Sequence, residues 1–166
     1  MFHCLRDREQ YFDQYSCKLR GNLDAENLIK AWEILVSENA VFRTAFVWEN
    51  VKDPVQVVLR NRELHFMQYD WRDLPEEKQA EKLKTLLEED KELGFRLDSP
   101  PLTRLSLIRV SRNAWYFVWS IHHMIIDGMS LPLILRQVYE NYRNLCGGLQ
   151  PPVHSSLPFK AYADWI

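Results

Sequence analysis

Apolar and polar positions along the chain sort into strand-like and helix-like stretches. Tyr11 to Leu19 mixes aromatic and polar residues as an extended strand does, and Gly21-Asn22 then turns the chain. Asp24 is a good N-cap; behind it Leu28, Ala31, Trp32 and Leu35 recur at helical spacing, and Leu23 with Leu28 fits a hydrophobic staple. The spacing predicts a helix from Asp24 to Glu38. Val41 to Trp48 reads as a strand, with Phe42, Thr44, Phe46 and Trp48 on one face and Val41, Arg43, Ala45 and Val47 on the other. Arg43 therefore sits among apolar neighbours and needs a carboxylate. Short strands follow at Val55 to Leu59 and Leu64 to Tyr69. Pro75-Glu76-Glu77 then opens a charged helix that turns Leu83, Leu86, Leu87 and Leu93 inward and stops at Gly94.

Leu102 to Val110 and Trp115 to Ile121 are two β-rich runs joined by Ser111-Arg112-Asn113-Ala114, a hairpin whose second strand leads into two histidines. Beyond them Leu131, Ile134, Leu135, Val138 and Tyr142 mark a helix face, with Ser130 as its cap and Pro132 tolerated in the first turn. The run HHMIIDG, from His122 to Gly128, is thus a strand-to-helix junction. Residues 148–158, rich in Gly, Pro and Ser, read as a linker before a short final helix over Phe159 to Ile166. The chain shows no internal repeat.

A length of 166 residues with 46% hydrophobic and 13% aromatic content is enough to bury a core. The formal charge of -2 supplies no basic face, so neither nucleic acid nor an anionic membrane is an expected partner. Cys4, Cys17 and Cys146 lack metal-ligand spacing and fit buried thiols in a reducing compartment. No signal peptide opens the sequence and no apolar run approaches the ~20 residues of a membrane span. The expected location is cytoplasmic.

Strand alternation carried to the junction puts His122 on the face of Tyr116, Val118 and Ser120, and His123 on the face of Trp115, Phe117, Trp119 and Ile121. One imidazole can then act while the other orients. Unperturbed histidine, with a pKa of ~6.5, accepts a proton from an attacking amine or hydroxyl at cellular pH. Imidazoles on opposite faces share a metal ion poorly, so none is expected. Asp127 either braces an imidazole or pairs with Arg43, and the pair is the favoured reading: an ion pair tying the loop to the strand from Val41. Gly128 permits the turn and a close ligand approach. His3, His65 and His154 have no recognisable partners, and Ser130 lacks the glycine-flanked elbow of a nucleophile.

In its surroundings, IHHMIIDGMS resembles the signature of condensation domains of nonribosomal peptide synthetases, a branch of the chloramphenicol-acetyltransferase-like superfamily. ENAVFRTAF at Glu38 to Phe46 is similar to the family segment ending in Leu-Arg-Thr-x-Phe, GFRLDSPPLTRLSLIRV to the stretch before its histidine strand, and FKAYADWI to its next recurring block. Met1-Phe2-His3 resembles the end of the family's opening motif. Three departures from the pattern stand out: Glu38-Asn39 replaces Arg-His, Phe42 replaces Leu, and Met129 stands where Trp or Val is usual.

The resemblance implies an α/β fold of the two-layer α+β sandwich type, a mixed sheet with packed helices. Residues 1–166 would be the N-terminal lobe of a two-lobed condensation domain, truncated at both ends, with the histidines facing a tunnel between lobes. It implies amide formation between acyl or peptidyl and aminoacyl thioesters, an acyltransferase-type reaction. His123 would be the catalytic histidine, His122 the support of its loop, Asp127 the partner of Arg43, and Gly128 the residue shaping the site. No tightly bound cofactor is implied, since phosphopantetheine arrives on donor and acceptor carrier-protein domains. The missing C-terminal lobe and an adenylation domain of the same assembly line would be further partners, and the orphan lobe surface would favour self-association. An epimerisation domain of the same family and a noncatalytic carrier-binding fragment are the alternatives.

Overall fold

The computed structural model describes residues 11–153. The readings at Met1-Phe2-His3, Cys4, His154, the end of the linker and the final helix lie outside them. Strand β1 (Phe12–Arg20) is followed by helix α1 (Ala25–Glu38), strands β2 (Thr44–Val47), β3 (Val55–Val58) and β4 (His65–Asp70), helix α2 (Glu76–Leu93), strands β5 (Thr103–Ser111) and β6 (Ala114–His122), and helix α3 (Leu131–Cys146).

Four strands form one mixed sheet in the order β1-β6-β5-β4. The hairpin turn Arg112-Asn113 makes β5 and β6 antiparallel, whereas β4 and β5 run parallel because α2 crosses over between them. Pleating then separates two cores. Leu105, Leu107, Trp115, Phe117, Trp119 and Ile121 pack with Trp32 and Leu35 of α1 and Val138 of α3. Ile108, Val110 and Val118 pack on the other side with Trp71 and with Leu83, Leu86 and Leu87 of α2. Helices therefore cover both faces of the mixed sheet, α2 adding a third layer to the expected two. The side chain of Asp24 caps α1 by accepting from the Asn27 amide at 3.0 Å. Gly94 ends α2 at a φ of 56°, a conformation costly for any residue with a Cβ.

Several local readings need correction. Leu93 is 60% exposed and Leu135 48%, since each lies off the buried stripe of its helix; Cys17 on edge strand β1 and Cys146 at the end of α3, expected as buried thiols, are exposed too. The segment expected as one strand from Val41 begins instead as a 3₁₀ turn over Ala40–Arg43. The turn lets Phe42 drop into the core beside α1, at 1% exposure, while Thr44 donates its hydroxyl back to the Ala40 carbonyl. It also re-aims Arg43. Nη1 of Arg43 donates to the carbonyls of Leu59 (2.5 Å) and Arg60 (2.9 Å), so the side chain serves the β2–β3 hairpin.

Candidate functional site

The site grows from the end of β6. Its last residues are clamped to β5 by a buried relay in which Trp119 Nε1 donates to Thr103 Oγ1 at 2.9 Å and that hydroxyl donates to the Ser120 carbonyl at 3.1 Å. His122 closes the strand, its amide donating to Leu102 O and its ring 3% exposed between Tyr11 and the edge of Phe95. The Met124 amide donates to His122 Nδ1 at 3.2 Å, so the buried imidazole sets the curvature of the loop that follows.

His123 leaves the sheet and stands in the open, with its side chain 46% exposed. Its amide donates to Tyr11 O at 2.7 Å, continuing the β1–β6 register one residue past Phe12 opposite His122. Asp13, opposite Ile121, is then the diagonal neighbour of His123 on the same face. The two side chains meet, Nδ1 lying 2.8 Å from Asp13 Oδ2. A carboxylate only accepts, so Nδ1 donates in this contact and, in the neutral ring, Nε2 is the nitrogen with the free lone pair. The sequence reading gave Asp13 no role. Its signal was the register of β1 on β6, which no local pattern states.

The expected ion pair between Asp127 and Arg43 does not form. Arg43 is committed to the Leu59 and Arg60 carbonyls, and Asp127 Oδ1 accepts from the Ser130 hydroxyl (2.6 Å) and amide (2.9 Å). Asp127 thereby closes the turn that leads into α3, while Ser130 stands at the N-cap position as expected but has helical angles and donates its hydroxyl to Asp127, so its side chain makes no cap hydrogen bond to the helix. The Ser130 hydroxyl and amide hold the Asp127 carboxyl below the usual carboxylate range, with the charge of His123 adding to the effect. Gly128 has no positive φ, so the turn does not demand glycine; a Cβ there would meet open space. Met129 is 83% exposed beside it. His123, Asp127, Gly128 and Met129 thus share an open surface, with His122 buried beneath it.

On the α2 face of the sheet lies a second cluster. Asp90 receives Arg104 Nε at 2.7 Å, Gln14 Nε2 at 2.9 Å and a short hydrogen bond from the Ser120 hydroxyl. The Arg104 guanidinium lies 4.2 Å from the centre of the Phe95 ring, the same ring that meets His122 edge-on. No helix among the described residues is long and apolar enough to cross a membrane.

The family model "Condensation domain" matches residues 1–166. One of the linear gramicidin synthase proteins of Brevibacillus parabrevis is 32% identical over 168 residues, covering 100% of this chain and 2% of that protein. One of the plipastatin synthase proteins of Bacillus subtilis is 34% identical over 170 residues, covering 100% of this chain and 7% of that protein. Among solved structures, the starter condensation domain of rhizomide synthetase superposes with a TM-score of 0.83 at 18% identity, over 98% of this chain and 40% of that one. The first condensation domain of the calcium-dependent antibiotic synthetase, in complex with a substrate analogue, gives 0.80 at 19% identity, over 94% and 39%. The chain therefore spans less than half of these solved chains and a small fraction of the synthetases.

Proposed function

The chain belongs to the condensation-domain family, and from that premise we propose that it forms the histidine-bearing side of a site joining two thioester-bound substrates through an amide bond. The amine of an acceptor aminoacyl thioester attacks the carbonyl carbon of a donor acyl or peptidyl thioester. The C–N bond forms, the amine proton passes to Nε2 of His123, and the donor sulfur leaves as the C–S bond breaks, with the imidazolium available to return the proton. The observation that carries this reading is the 2.8 Å pair of His123 Nδ1 with Asp13, which leaves Nε2 as the basic nitrogen of a half-exposed ring. Asp13 is then a positioning residue that holds the ring in one tautomer. His122 shapes the loop from beneath, Asp127 fixes the start of α3, and open space over Gly128 admits the reacting thioester.

Both substrates arrive on phosphopantetheine arms of donor and acceptor carrier-protein domains, charged by an adenylation domain, and no tightly held cofactor is needed. The names of the gramicidin and plipastatin synthases support a place in an assembly line for a peptide antibiotic, one that would work in the cytoplasm. A second lobe supplies the opposite wall, so the isolated chain is folded but inactive. Holding two thioesters in line requires both walls.

Incubating the complete condensation domain with separately loaded donor and acceptor carriers tests the proposal. The expected product is the donor group joined by an amide to the acceptor, on the acceptor carrier. A D-residue appearing on one carrier without amide formation would contradict it and mark an epimerisation domain.

A further inference from the structure

Pleating sets Gln14 of β1, Ser120 of β6 and Arg104 of β5 in one row across the sheet, since Gln14 and Arg104 both stand opposite Ser120. All three side chains reach the carboxylate of Asp90 on α2, and within the row Gln14 Nε2 donates to Ser120 Oγ at 3.3 Å. Replacing a whole buried ion pair with apolar residues of like volume often costs no stability, so such residues would join α2 to the sheet equally well. What Asp90 adds is direction, because donors from three strands must converge on two oxygens at fixed angles.

Two arms run from this carboxylate to the histidines. In the next row on the same face, Phe12 stands opposite His122. Phe95 packs against both, its ring 5.5 Å from that of Phe12 and 6.3 Å from the imidazole. The Arg104 guanidinium, held by Asp90 Oδ1, Asp90 O and Gly94 O, lies 4.2 Å from the centre of the Phe95 ring. Asp90 thereby fixes one wall around the imidazole whose Nδ1 accepts the Met124 amide. The other arm is Gln14. Among the described strands β1 pairs with β6 alone, and its residues 15–18 are exposed. The end of such an edge strand frays readily. Gln14 ties that end to α2 beside Asp13, whose carboxylate accepts from Nδ1 of His123 at 2.8 Å.

We propose that Asp90 is a positioning residue for the amide-forming reaction, holding His123 through Gln14 and Asp13, and His122 through Arg104 and Phe95. Its effect on rate rests on the function proposed above; its effect on the two rings does not.

The test compares four variants. Gln14→Met cuts one arm and Phe95→Leu the other, both leaving the Arg104–Asp90 ion pair in place, while Asp90→Asn acts on both arms. Gln79→Met is the structural control: at the opposite end of α2, Gln79 Nε2 donates to the carbonyls of Trp71, Leu74 and Val110, away from both histidines. Imidazole nitrogen spectra are taken on the purified chain, and single-turnover amide formation is followed in the complete domain over a range of loaded-carrier concentrations. Gln14→Met should change the His123 signals and Phe95→Leu those of His122. Each should lower the saturated rate about 10- to 10²-fold, as misplaced groups do, with the carrier concentration for half-maximal rate unchanged. Asp90→Asn should change both sets of signals; if it does not fold, the two single-arm variants decide. Gln79→Met should lower the urea midpoint and leave signals and rate in place. Wild-type signals and rate in either single-arm variant, or equal disturbance by Gln79→Met, would overturn the inference and leave Asp90 a contact of stability alone. A wild-type domain that forms no amide contradicts the condensation reading instead, and the spectra of the unreacted chain still decide whether Asp90 holds the rings.

Discussion

Replacing Arg104 with Met should destabilise the chain more than any other single charge removal, because the guanidinium is almost enclosed. The side chains of Arg104 and Asp90 are 12% and 11% exposed. Arg104 donates to Asp90 Oδ1 at 2.7 Å, to Asp90 O at 2.8 Å and to Gly94 O at 2.5 Å, and it stacks on Phe95. Met restores much of the stem's packing but leaves Asp90 charged, held only by Gln14 and the Ser120 hydroxyl. Stranding one partner of such a pair costs about 3–5 kcal/mol. With a urea slope of about 2 kcal/mol per molar, the unfolding midpoint should fall by roughly 1.5–2.5 M. Urea denaturation followed by tryptophan fluorescence reads this directly. The double variant Arg104→Met/Asp90→Asn should recover part of the loss, with a coupling of about 1–3 kcal/mol. The exposed Arg72–Asp70 pair is the control: Arg72 holds the Asp70 carboxyl down to about 2, yet breaking this solvent-screened pair should leave the midpoint in place. A shift below about 0.3 M for Arg104→Met would refute the claim that this buried pair holds α2 to the sheet.

Asp13→Asn in the complete domain should slow amide formation and change the His123 tautomer seen in imidazole nitrogen spectra; unchanged spectra would remove Asp13 as a positioning residue. Gly94→Ala should cost about 1 kcal/mol or more through its positive φ, read from the same urea transition, and an unchanged midpoint would show that the C-cap tolerates a Cβ. Because the Asp127 carboxyl is held below its usual range, its turn with Ser130 should be complete above the unfolded value and lost as pH falls through the folded one. The Ser130 amide should therefore titrate only in acid, and a titration near neutrality would contradict the turn. The purified chain should unfold cooperatively yet form no amide above a His123→Ala control, and it should self-associate through exposed Met129, Leu133 and Tyr139, so a monomer at high concentration would count against that surface.

Local periodicity disclosed what local forces decide. The Asp24 cap, the α1 stripe of Leu28, Ala31, Trp32 and Leu35, the Ser111–Ala114 hairpin and the Gly94 stop all follow from short-range sterics and hydrogen bonds. The sequence around Phe42 misled because one large ring gains more from dropping into the core than alternation gains from a straight strand, and that turn carried Arg43 away from Asp127. Asp127 then took the nearest donors, the amide and hydroxyl of Ser130. The histidines could be singled out from their spacing, but the Asp13–His123 contact could not, since it joins residues 110 positions apart through a strand pairing. The Asp90–Arg104–Ser120 cluster is hidden for the same reason: its members come from α2, β5 and β6.

The rate of amide formation by the complete domain, measured in single turnover with two loaded carriers, tests the assignment of His123 most directly. His123→Ala should leave the fold and the urea midpoint intact, because the ring is half exposed, while lowering the rate about 10²- to 10⁴-fold, the usual worth of a positioned proton acceptor. A folded His123→Ala domain that forms the amide at the wild-type rate would contradict the account.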